Sequence, residues 1–221
     1  MPNVVEALQL LEEKSTAWDL ANLARFGIVT ADRVLGVSMS SIQAIAKQLG
    51  PRDPKLAAAL WDTGCYEARM LTAFVHDPGK VAAAQMDRWC KQFDNWAICD
   101  TLCFKLWDRT PHAWSKAEQW SKKDGEFVKR AGFALLASMA GHDKKSGDDP
   151  FRDSLAWIER GAFDDRNFVK KGVSWALRRI GTRSAALKDS CIELAAQLAQ
   201  SEDRGARWVG KDALRDLQKR K

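Results

Sequence analysis

The hydrophobic pattern of the chain is helical almost from end to end. Apolar residues recur every three or four positions, as at Val4, Leu8 and Leu11, which is the spacing of one helix face. Turn sequences such as Gly50-Pro51 and Asp77-Pro78-Gly79 separate these segments, and no segment has a convincing strand pattern. We therefore predict helices near residues 3–14, 15–25, 41–49, 53–60, 66–76, 83–92, 95–108, 111–121, 126–141, 151–161, 166–181, 185–199 and 203–219, with a polar loop over 142–150.

A repeat of about 40 residues organises the second half of the chain. The sequence FVKRAG at 127–132 returns 41 residues later as FVKKGV at 168–173, and a looser copy, WVGKDA, follows at 208–213. Each copy opens an apolar helical run, and a helical period near 40 is typical of HEAT-like arrays. We therefore predict an all-α fold, a single domain spanning 1–221, in which HEAT-like helical repeats stack into a curved solenoid.

The charges of the repeat give the array a candidate binding surface. The net charge is +6, from 35 basic and 29 acidic residues, which is only a moderate excess. Lys129 and Arg130 in one copy correspond to Lys170 and Lys171 in the next. Equivalent helices of such an array line its concave face, so these cations predict a basic stripe that suits a polyanion. Arg178-Arg179 extends the patch; the alternative is that all these cations are ordinary solvated side chains.

The cysteines and histidines favour neither disulfides nor a metal. The five cysteines are an odd number, no signal peptide precedes them, and no apolar run approaches the ~20 residues that span a bilayer. These features predict reduced thiols in a cytoplasmic protein. Cys99 and Cys103 are four residues apart, but no second Cys or His pair lies nearby, so buried packing is favoured over a metal site. We expect no metal and no cofactor.

Residues 94–100 (DNWAICD) carry the candidate chemistry. Trp96 and Asp100 are four apart, hence on one helix face about one turn from each other. A carboxylate beside an aromatic wall is able to stabilise a developing cation. In the alternative interpretation, Asp100 pairs with a basic residue and Trp96 fills a groove; the spacing does not decide between the two. Most of the ten tryptophans should be core, with one or two exposed as stacking platforms.

Several segments in order resemble the AlkD-type DNA alkylation repair family, the HEAT-like-repeat DNA glycosylases. They cover most of the chain: LGVS at 35–38 leading into Ile42–Ala46, WDTGCYEARML at 61–71, QMDRW at 85–89, DNWAICD at 94–100, EFVKRAGFALLA at 126–137 and RNFVKKGVSWALRRIG at 166–181.

The resemblance implies a base-excision-repair enzyme that binds duplex DNA with alkylated bases. Family members hydrolyse the N-glycosidic bond of N3- and N7-alkylated purines, whose cationic base is a good leaving group. The enzyme then needs to stabilise the oxocarbenium-like sugar and position water. These enzymes are thought to act without drawing the base into a tight pocket, unlike most glycosylases. A protein of this kind is expected to act as a monomer.

The resemblance also assigns roles to individual residues. Asp100 matches the catalytic aspartate, while Trp96 and Trp175 match aromatics that pack against the sugar of the lesion. Arg130 matches a basic residue beside the scissile nucleotide, and Arg178 matches a phosphate-contacting arginine. Phe26 corresponds loosely to a further aromatic near the N-terminus. The remaining candidate DNA contacts, Lys129, Lys170 and Lys171, come from the charge stripe and not from the family.

Two departures from the family pattern leave an alternative function open. Ala97 stands where relatives often carry a bulky or acidic side chain, and the loop 142–150 changes the spacing between Arg130 and Trp175. The alternative is a non-catalytic HEAT-like-repeat protein that binds damaged or branched DNA through its backbone. A third hypothesis, a scaffold for an acidic protein partner, is disfavoured by the recurrence of the cations.

Overall fold

The computed structural model describes residues 2–50 and 52–219. The chain divides into two compact units, Met1–Thr110 and Pro111–Lys221. Fourteen α-helices and two short 3-10 helices lie in the described part, where the sole β pairing is an isolated bridge between Arg33 and Cys65. None of the described helices combines the length and the apolar character that a membrane crossing demands.

The first unit is built around one central helix. Its elements are α1 (Val4–Glu13), α2 (Ala17–Arg25), α3 (Met39–Leu49), α4 (Pro54–Asp62), α5 (Tyr66–Val75), η1 (Pro78–Lys80), α6 (Ala83–Cys90), α7 (Trp96–Lys105) and η2 (Trp107–Arg109). Helix α5 packs against α1, α3, α4 and α7. Helix α2, in contrast, buries none of its residues.

Aromatic side chains fill the core of the first unit. Trp61 and Trp89 are both fully buried and stack with ring centroids 4.7 Å apart. Phe93 lies 6.0 Å from Trp61 and 5.4 Å from Trp107, so the four rings form one cluster. The Trp61 indole N–H donates to Gln92 Oε1 at 2.9 Å, which satisfies its polar atom. The sequence expectation that most tryptophans pack inside therefore holds for Trp61, Trp89 and Trp107.

The second unit contains the predicted repeat. Its helices are α8 (Ala113–Ser121), α9 (Glu126–His142), α10 (Asp149–Asp153), α11 (Leu155–Ala162), α12 (Asn167–Ile180), α13 (Ala185–Ala199) and α14 (Arg204–Lys219). The three repeat copies lie in α9, α12 and α14, the first two at the helix start and the third in the second turn, and α12 packs between the other two helices. Helices α8, α11 and α13 pack behind them as a second layer. The all-α, HEAT-like stacking predicted from the 40-residue period is confirmed.

The predicted helices 95–108 and 151–161 differ most from the structure, whereas the predicted end of the helix 41–49 agrees with it. The predicted helix 95–108 ends at Lys105, because Leu106 leaves the helical conformation (φ −135°, ψ −59°) before the 3-10 turn η2. The predicted helix 151–161 is two helices, α10 and α11, joined at Ser154, and α10 begins inside the predicted loop. Helix α3 ends at Leu49 with Gly50 at φ +88°; Pro51, the other half of the predicted stop, lies outside the described residues.

Glycines allow the paired helices of the second unit to approach closely. A Cβ added at Gly132 in α9 would lie 2.5 Å from the backbone nitrogen of Ser121. A Cβ at Gly210 in α14 would lie 2.3 Å from the nitrogen of Ala199 and 2.6 Å from the carbonyl oxygen of Ala195. The atoms that such a Cβ would meet belong to the backbone, and a change of side-chain rotamer cannot move them. Each helix pair can therefore pack this closely only because the glycine has no side chain.

Gly210→Ala should therefore destabilise the protein although alanine favours helices. Separating α13 from α14 is expected to cost about 2 kcal/mol, or roughly 5 °C in Tm. Thermal unfolding, monitored by circular dichroism, measures this change in Tm. Gly147→Ala is the control, since a Cβ there meets nothing within 4 Å. Equal Tm values for the two variants would contradict this account of the helix packing.

Candidate functional site

Helix α7 presents two predicted site residues to one cleft. Asn95 caps the helix, its side-chain oxygen accepting from the N–H groups of Ala97 and Ile98 at 3.0 Å each. This cap starts the helix at Trp96, and Asp100 follows one turn later. Both side chains are half-buried and line a cleft of about 310 Å³ within the first unit. The shared face predicted from their spacing is thus present.

Phe26 lies at the same cleft, tied to the start of α7. The indole N–H of Trp96 donates to the carbonyl oxygen of Phe26 at 3.1 Å. The backbone N–H of Ala31 donates to Asp94 Oδ2 at 2.7 Å. Two long-range hydrogen bonds therefore hold the segment after α2 against the N-terminus of α7. The Phe26 ring, 60% exposed, lines the cleft together with Trp96 and Asp100.

A buried carboxylate shapes the floor of the cleft. Glu67 on α5 is fully buried and accepts from the backbone N–H groups of Leu35, Gly36 and Val37 at 3.0, 2.8 and 3.3 Å. Gly36 has φ +80°, and a Cβ there would lie 2.7 Å from the carbonyl oxygen of Thr16. Only glycine permits this close passage beneath α2. Glu67 and Gly36 are therefore needed for the shape of the cleft.

The lining of the cleft contains aromatic residues that sequence reasoning missed. Trp18 on α2 is 72% exposed and stands at the cleft, and Tyr66 on α5 contributes a buried ring. Burial, with the nearby Glu67 and Asp94 carboxylates, raises the pKa of the Tyr66 phenol, which therefore stays protonated at neutral pH. The sequence expectation of one or two exposed tryptophans is met by Trp18, but nothing in the sequence pointed to its position.

The lining charges are all of one sign. Asp19, Glu67 and Asp100 are among the described residues that line the cleft, and no Lys, Arg or His is among them. Such a surface attracts cations and repels phosphate groups.

The remaining predicted site residues belong to the second unit. Arg130 on α9 is buried, and its Nη1 donates to the carbonyl oxygen of Phe168 at 2.7 Å. Lys129 forms an ion pair with Asp164 at 2.9 Å, and its side chain is 17% exposed. Lys170, 13% exposed, pairs with Asp165 at 2.8 Å and lies over the Trp208 ring at 5.5 Å. Lys171 is exposed. Three of the four repeat cations, Lys129, Arg130 and Lys170, thus have a carboxylate or a backbone carbonyl as a local partner.

The loop before α12 organises these cations. Asp164 accepts from Arg166 at 2.6 Å and from Lys129 at 2.9 Å. Hydrogen bonds from Arg166, and then from Lys129, hold the pKa of Asp164 well below its usual range despite partial burial. Arg166 also donates to the carbonyl oxygen of Asp124 at 2.6 Å, which connects the loop to the start of α9.

Trp175 and Arg178 are both half-buried on α12. Arg178 lies 3.8 Å from Asp212 and 3.9 Å from Asp216, two carboxylates of α14. The expectation that Arg179 extends the same patch is wrong, because adjacent helical residues point in different directions. Arg179 instead lies against Gly141 and lines a separate notch of about 350 Å³ with Lys144 and Arg183, a basic cluster that the repeat pattern did not reveal.

The described residues offer no group of three or more His, Cys, Asp or Glu arranged around a metal position. All five cysteines are buried and none forms a disulfide. Cys99 and Cys103 both lie on the buried side of α7, as the packing interpretation of their spacing predicts. Burial raises the pKa of the Cys103 thiol further above neutrality, so it is held as a thiol.

A sequence comparison with protein families gives a match over nearly the whole chain. The profile of the family described as DNA alkylation repair enzyme matches residues 7–217. None of the curated proteins matches the chain.

One solved structure shares the fold over almost its full length. It is described as belonging to a new family of proteins related to the HEAT-like repeat DNA glycosylases with affinity for branched DNA structures. The TM-score is 0.79 at 18% sequence identity, covering 97% of this chain and 95% of that one. This likeness establishes the HEAT-like fold.

The Asp164 cluster predicts a pH-dependent contribution to stability. Because the folded pKa is depressed, the carboxylate contributes its full stabilisation at pH values above its unfolded pKa. This contribution is lost as the pH falls below that value and through the folded pKa. Asp164→Asn should lower Tm at pH 7 by roughly 3 °C, corresponding to about 1 kcal/mol after solvent screening. Near pH 3 the difference should be smaller.

Thermal unfolding at the two pH values provides the test. Asp189→Asn on the exposed side of α13 is the matched control and should change Tm little at either pH. A Tm loss for Asp164→Asn that is as large at pH 3 as at pH 7 would show that the carboxylate charge is not what stabilises the loop.

Proposed function

Because the chain belongs to the DNA alkylation repair enzyme family, we propose that it is a DNA glycosylase. Its proposed substrates are cationic N3- and N7-alkylated purines in duplex DNA, whose N-glycosidic bond it hydrolyses. The observation that carries the proposal is the position of the Asp100 carboxylate one turn from Trp96, on one face of α7 at the cleft. A carboxylate beside an aromatic wall is able to stabilise an oxocarbenium-like sugar.

The proposed reaction needs no external oxidant or reductant. The bond between C1′ and the purine nitrogen breaks, and its electron pair leaves with the base, which loses its positive charge. C1′ becomes electron-poor, and the Asp100 carboxylate stabilises it and orients a water molecule. The water oxygen forms the new bond to C1′ and releases its proton to the carboxylate or solvent. The products are the free base and an abasic site.

Other residues have proposed binding roles. Trp96 and Trp175 pack against the sugar of the lesion, and Phe26 extends the aromatic surface next to Trp96. Arg130 lies beside the scissile nucleotide, and Arg178 contacts a phosphate. Lys129, Lys170 and Lys171 add backbone contacts, with the exposed Lys171 the most accessible of the three. We propose that the protein acts on DNA as a monomer and without a cofactor.

Replacing the proposed catalytic carboxylate tests the chemistry. Asp100→Asn keeps the shape of the side chain and removes its charge, so release of 7-methylguanine and 3-methyladenine from methylated duplex DNA should fall about 100-fold or more. The assay follows base release under single-turnover conditions without added metal. Asp62→Asn, an exposed carboxylate near the end of α4, is the control and should retain the wild-type rate. Equal rates for wild type and Asp100→Asn would reject the proposed role.

A second candidate function is binding to branched DNA without base release. It is favoured by the solved structure of similar fold, whose family is described as having affinity for branched DNA structures. The cations of the second unit suit recognition of a phosphate backbone. This function predicts tight binding to a four-way junction and no release of methylated bases.

Salt dependence identifies the cations that contact DNA in either case. The slope of log affinity against log salt reports the number of phosphates neutralised, so Lys171→Ala should reduce its magnitude by about 1. Fluorescence anisotropy with linear and four-way-junction DNA provides the measurement. Lys47→Ala on the exposed face of α3 is the control and should leave the slope unchanged. An unaltered slope for Lys171→Ala would show that Lys171 does not neutralise a DNA phosphate.

A further inference from the structure

A basic notch of about 350 Å³ lies within the second unit, where α9 and α12 end. Three of its described lining residues are cations and none is an Asp or Glu; the lining consists of Ala140, Gly141, Lys144, Arg179, Thr182 and Arg183. None of the residues with a proposed role in base release or in DNA contact lines this notch. Its charges therefore have no role in the proposed function so far.

The notch is separate from the predicted DNA contacts of the same helices. Arg178 lies near two carboxylates of α14. The next residue, Arg179, is turned by about 100° around the helix axis and lies against Gly141 of α9 instead. Along α9, Gly141 is about 18 Å from Lys129 at the other end of the helix. The notch is thus a second concentration of positive charge.

Arg179 and Lys144 supply the available charge of the notch. Their side chains have no hydrogen-bond or ion-pair partner among the described residues, whereas Lys129 and Lys170 are paired with aspartates. Arg179 is half-buried and Lys144 is exposed. A guanidinium that is partly removed from water and has no counter-ion gains more from an added anion than a fully solvated one does.

Arg183 adds a third charge that the fold holds in place. Its Nη1 donates to the carbonyl oxygens of Ala140 and Asp143 at 3.1 and 2.7 Å, and its Nη2 to that of Ser146 at 3.0 Å. The guanidinium also lies 3.8 Å from the centroid of the Phe151 ring. Despite partial burial, hydrogen bonds from Ser146 and the charge of Arg183 lower the pKa of Asp143. That carboxylate offsets part of the Arg183 charge, but it does not line the notch.

The carbonyl groups at the two helix ends, which would repel an anion, already have donors. The Ala140 oxygen accepts from Arg183. The Arg179 oxygen accepts from the backbone N–H of Thr182 at 3.2 Å and from its hydroxyl at 2.7 Å. The Ile180 oxygen accepts from the backbone N–H of Arg183 at 3.1 Å. The partial negative charge of these helix ends is therefore reduced where the cations meet.

The chemistry of the lining selects a phosphate group. A planar guanidinium matches two oxygens of a phosphate, and an ammonium group binds a third oxygen as a point charge. No aromatic side chain is among the described lining residues, so the notch offers no stacking surface to a base. Its volume exceeds that of a lone phosphate and leaves room for a diphosphate, or for a phosphodiester with an attached sugar.

We propose that this notch is a phosphate-binding site, in which Arg179 and Lys144 contact the phosphate oxygens and Arg183 supplies a fixed third charge. Two sources carry the group: the backbone of DNA and a free phosphorylated molecule. The site itself does not depend on the proposed function, whereas a DNA source rests on the DNA binding proposed there.

Titration of the full chain with inorganic pyrophosphate at physiological ionic strength, followed by isothermal titration calorimetry, tests the site. Arg179→Gln removes the charge and keeps much of the side-chain length, so pyrophosphate should bind about tenfold more weakly. Arg160→Gln removes the same charge from an exposed arginine of α11 outside the notch, and should change the affinity by about twofold at most. Equal losses in the two variants would overturn the proposal, because net charge would then explain the binding.

Gly141→Ala tests the position of the guanidinium at constant net charge. A Cβ there would lie 2.3 Å from Arg179 Nη2, so the guanidinium has to move, while alanine favours the helix. Pyrophosphate should bind about threefold more weakly, or weaker still. Gly147→Ala, whose Cβ meets nothing within 4 Å, is the control and should bind as the wild type does. Circular dichroism checks that both variants are folded. Wild-type affinity in Gly141→Ala would overturn the assignment to Arg179.

Fluorescence anisotropy with an unmodified duplex distinguishes the two sources. A DNA phosphate in the notch predicts that Arg179→Gln reduces the slope of log affinity against log salt by about 1 in magnitude. An unchanged slope, together with pyrophosphate binding that depends on Arg179, would assign the notch to a free phosphorylated molecule. If Arg179→Gln alters neither titration, the proposal is wrong.

The outcomes also separate this inference from the proposed function. Phosphate binding that depends on Arg179, in a protein that releases no methylated base, would reject the glycosylase and leave the notch as a phosphate site. Release of methylated bases by a protein in which Arg179→Gln alters neither titration would reject the notch and leave the glycosylase in place.

Discussion

The candidate site depends on one buried carboxylate. Glu67 is fully buried on α5 and holds the backbone of residues 35–37 by three hydrogen bonds. Without those donors an ionised carboxylate would be very costly to bury. Without the carboxylate, three backbone N–H groups would lose their partner. The two requirements together fix the segment beneath α2, and with it the floor of the cleft that contains Asp100.

The two units carry different electrostatics. The cleft of the first unit is lined by aromatic rings and by the carboxylates of Asp19, Glu67 and Asp100. The second unit holds the repeat cations, but Asp164 and Asp165 pair with Lys129 and Lys170. The net charge of +6 therefore overstates the positive charge available to DNA. These ion pairs hold the lysines in position. A phosphate that contacts Lys129 or Lys170 would have to share the ammonium group with the aspartate already paired to it.

The parts of the structure that follow from local sequence were predictable. The 40-residue period identifies α9, α12 and α14 as equivalent helices, because the same sequence pattern recurs in the first two turns of each. The four-residue spacing of Trp96 and Asp100 places them on one face, because helix geometry is local. The break between α10 and α11 at Ser154 was missed, because Ser154 has near-helical backbone angles (φ −70°, ψ −11°) and the apolar pattern runs on across it. Trp18, Phe26 and Glu67 line one cleft with residues of α7 that are distant in sequence, so no spacing rule reveals their common cleft.

The most direct test of the account is the position of the reacting sugar relative to Asp100. A crystal structure of the full chain with duplex DNA that carries a cationic pyrrolidine in place of the deoxyribose would show it. The account predicts that the ring nitrogen lies within about 4 Å of the Asp100 carboxylate, with the indole of Trp96 against the ring. A pyrrolidine bound away from α7, with no carboxylate of the cleft near it, would contradict the proposed catalytic role of this site.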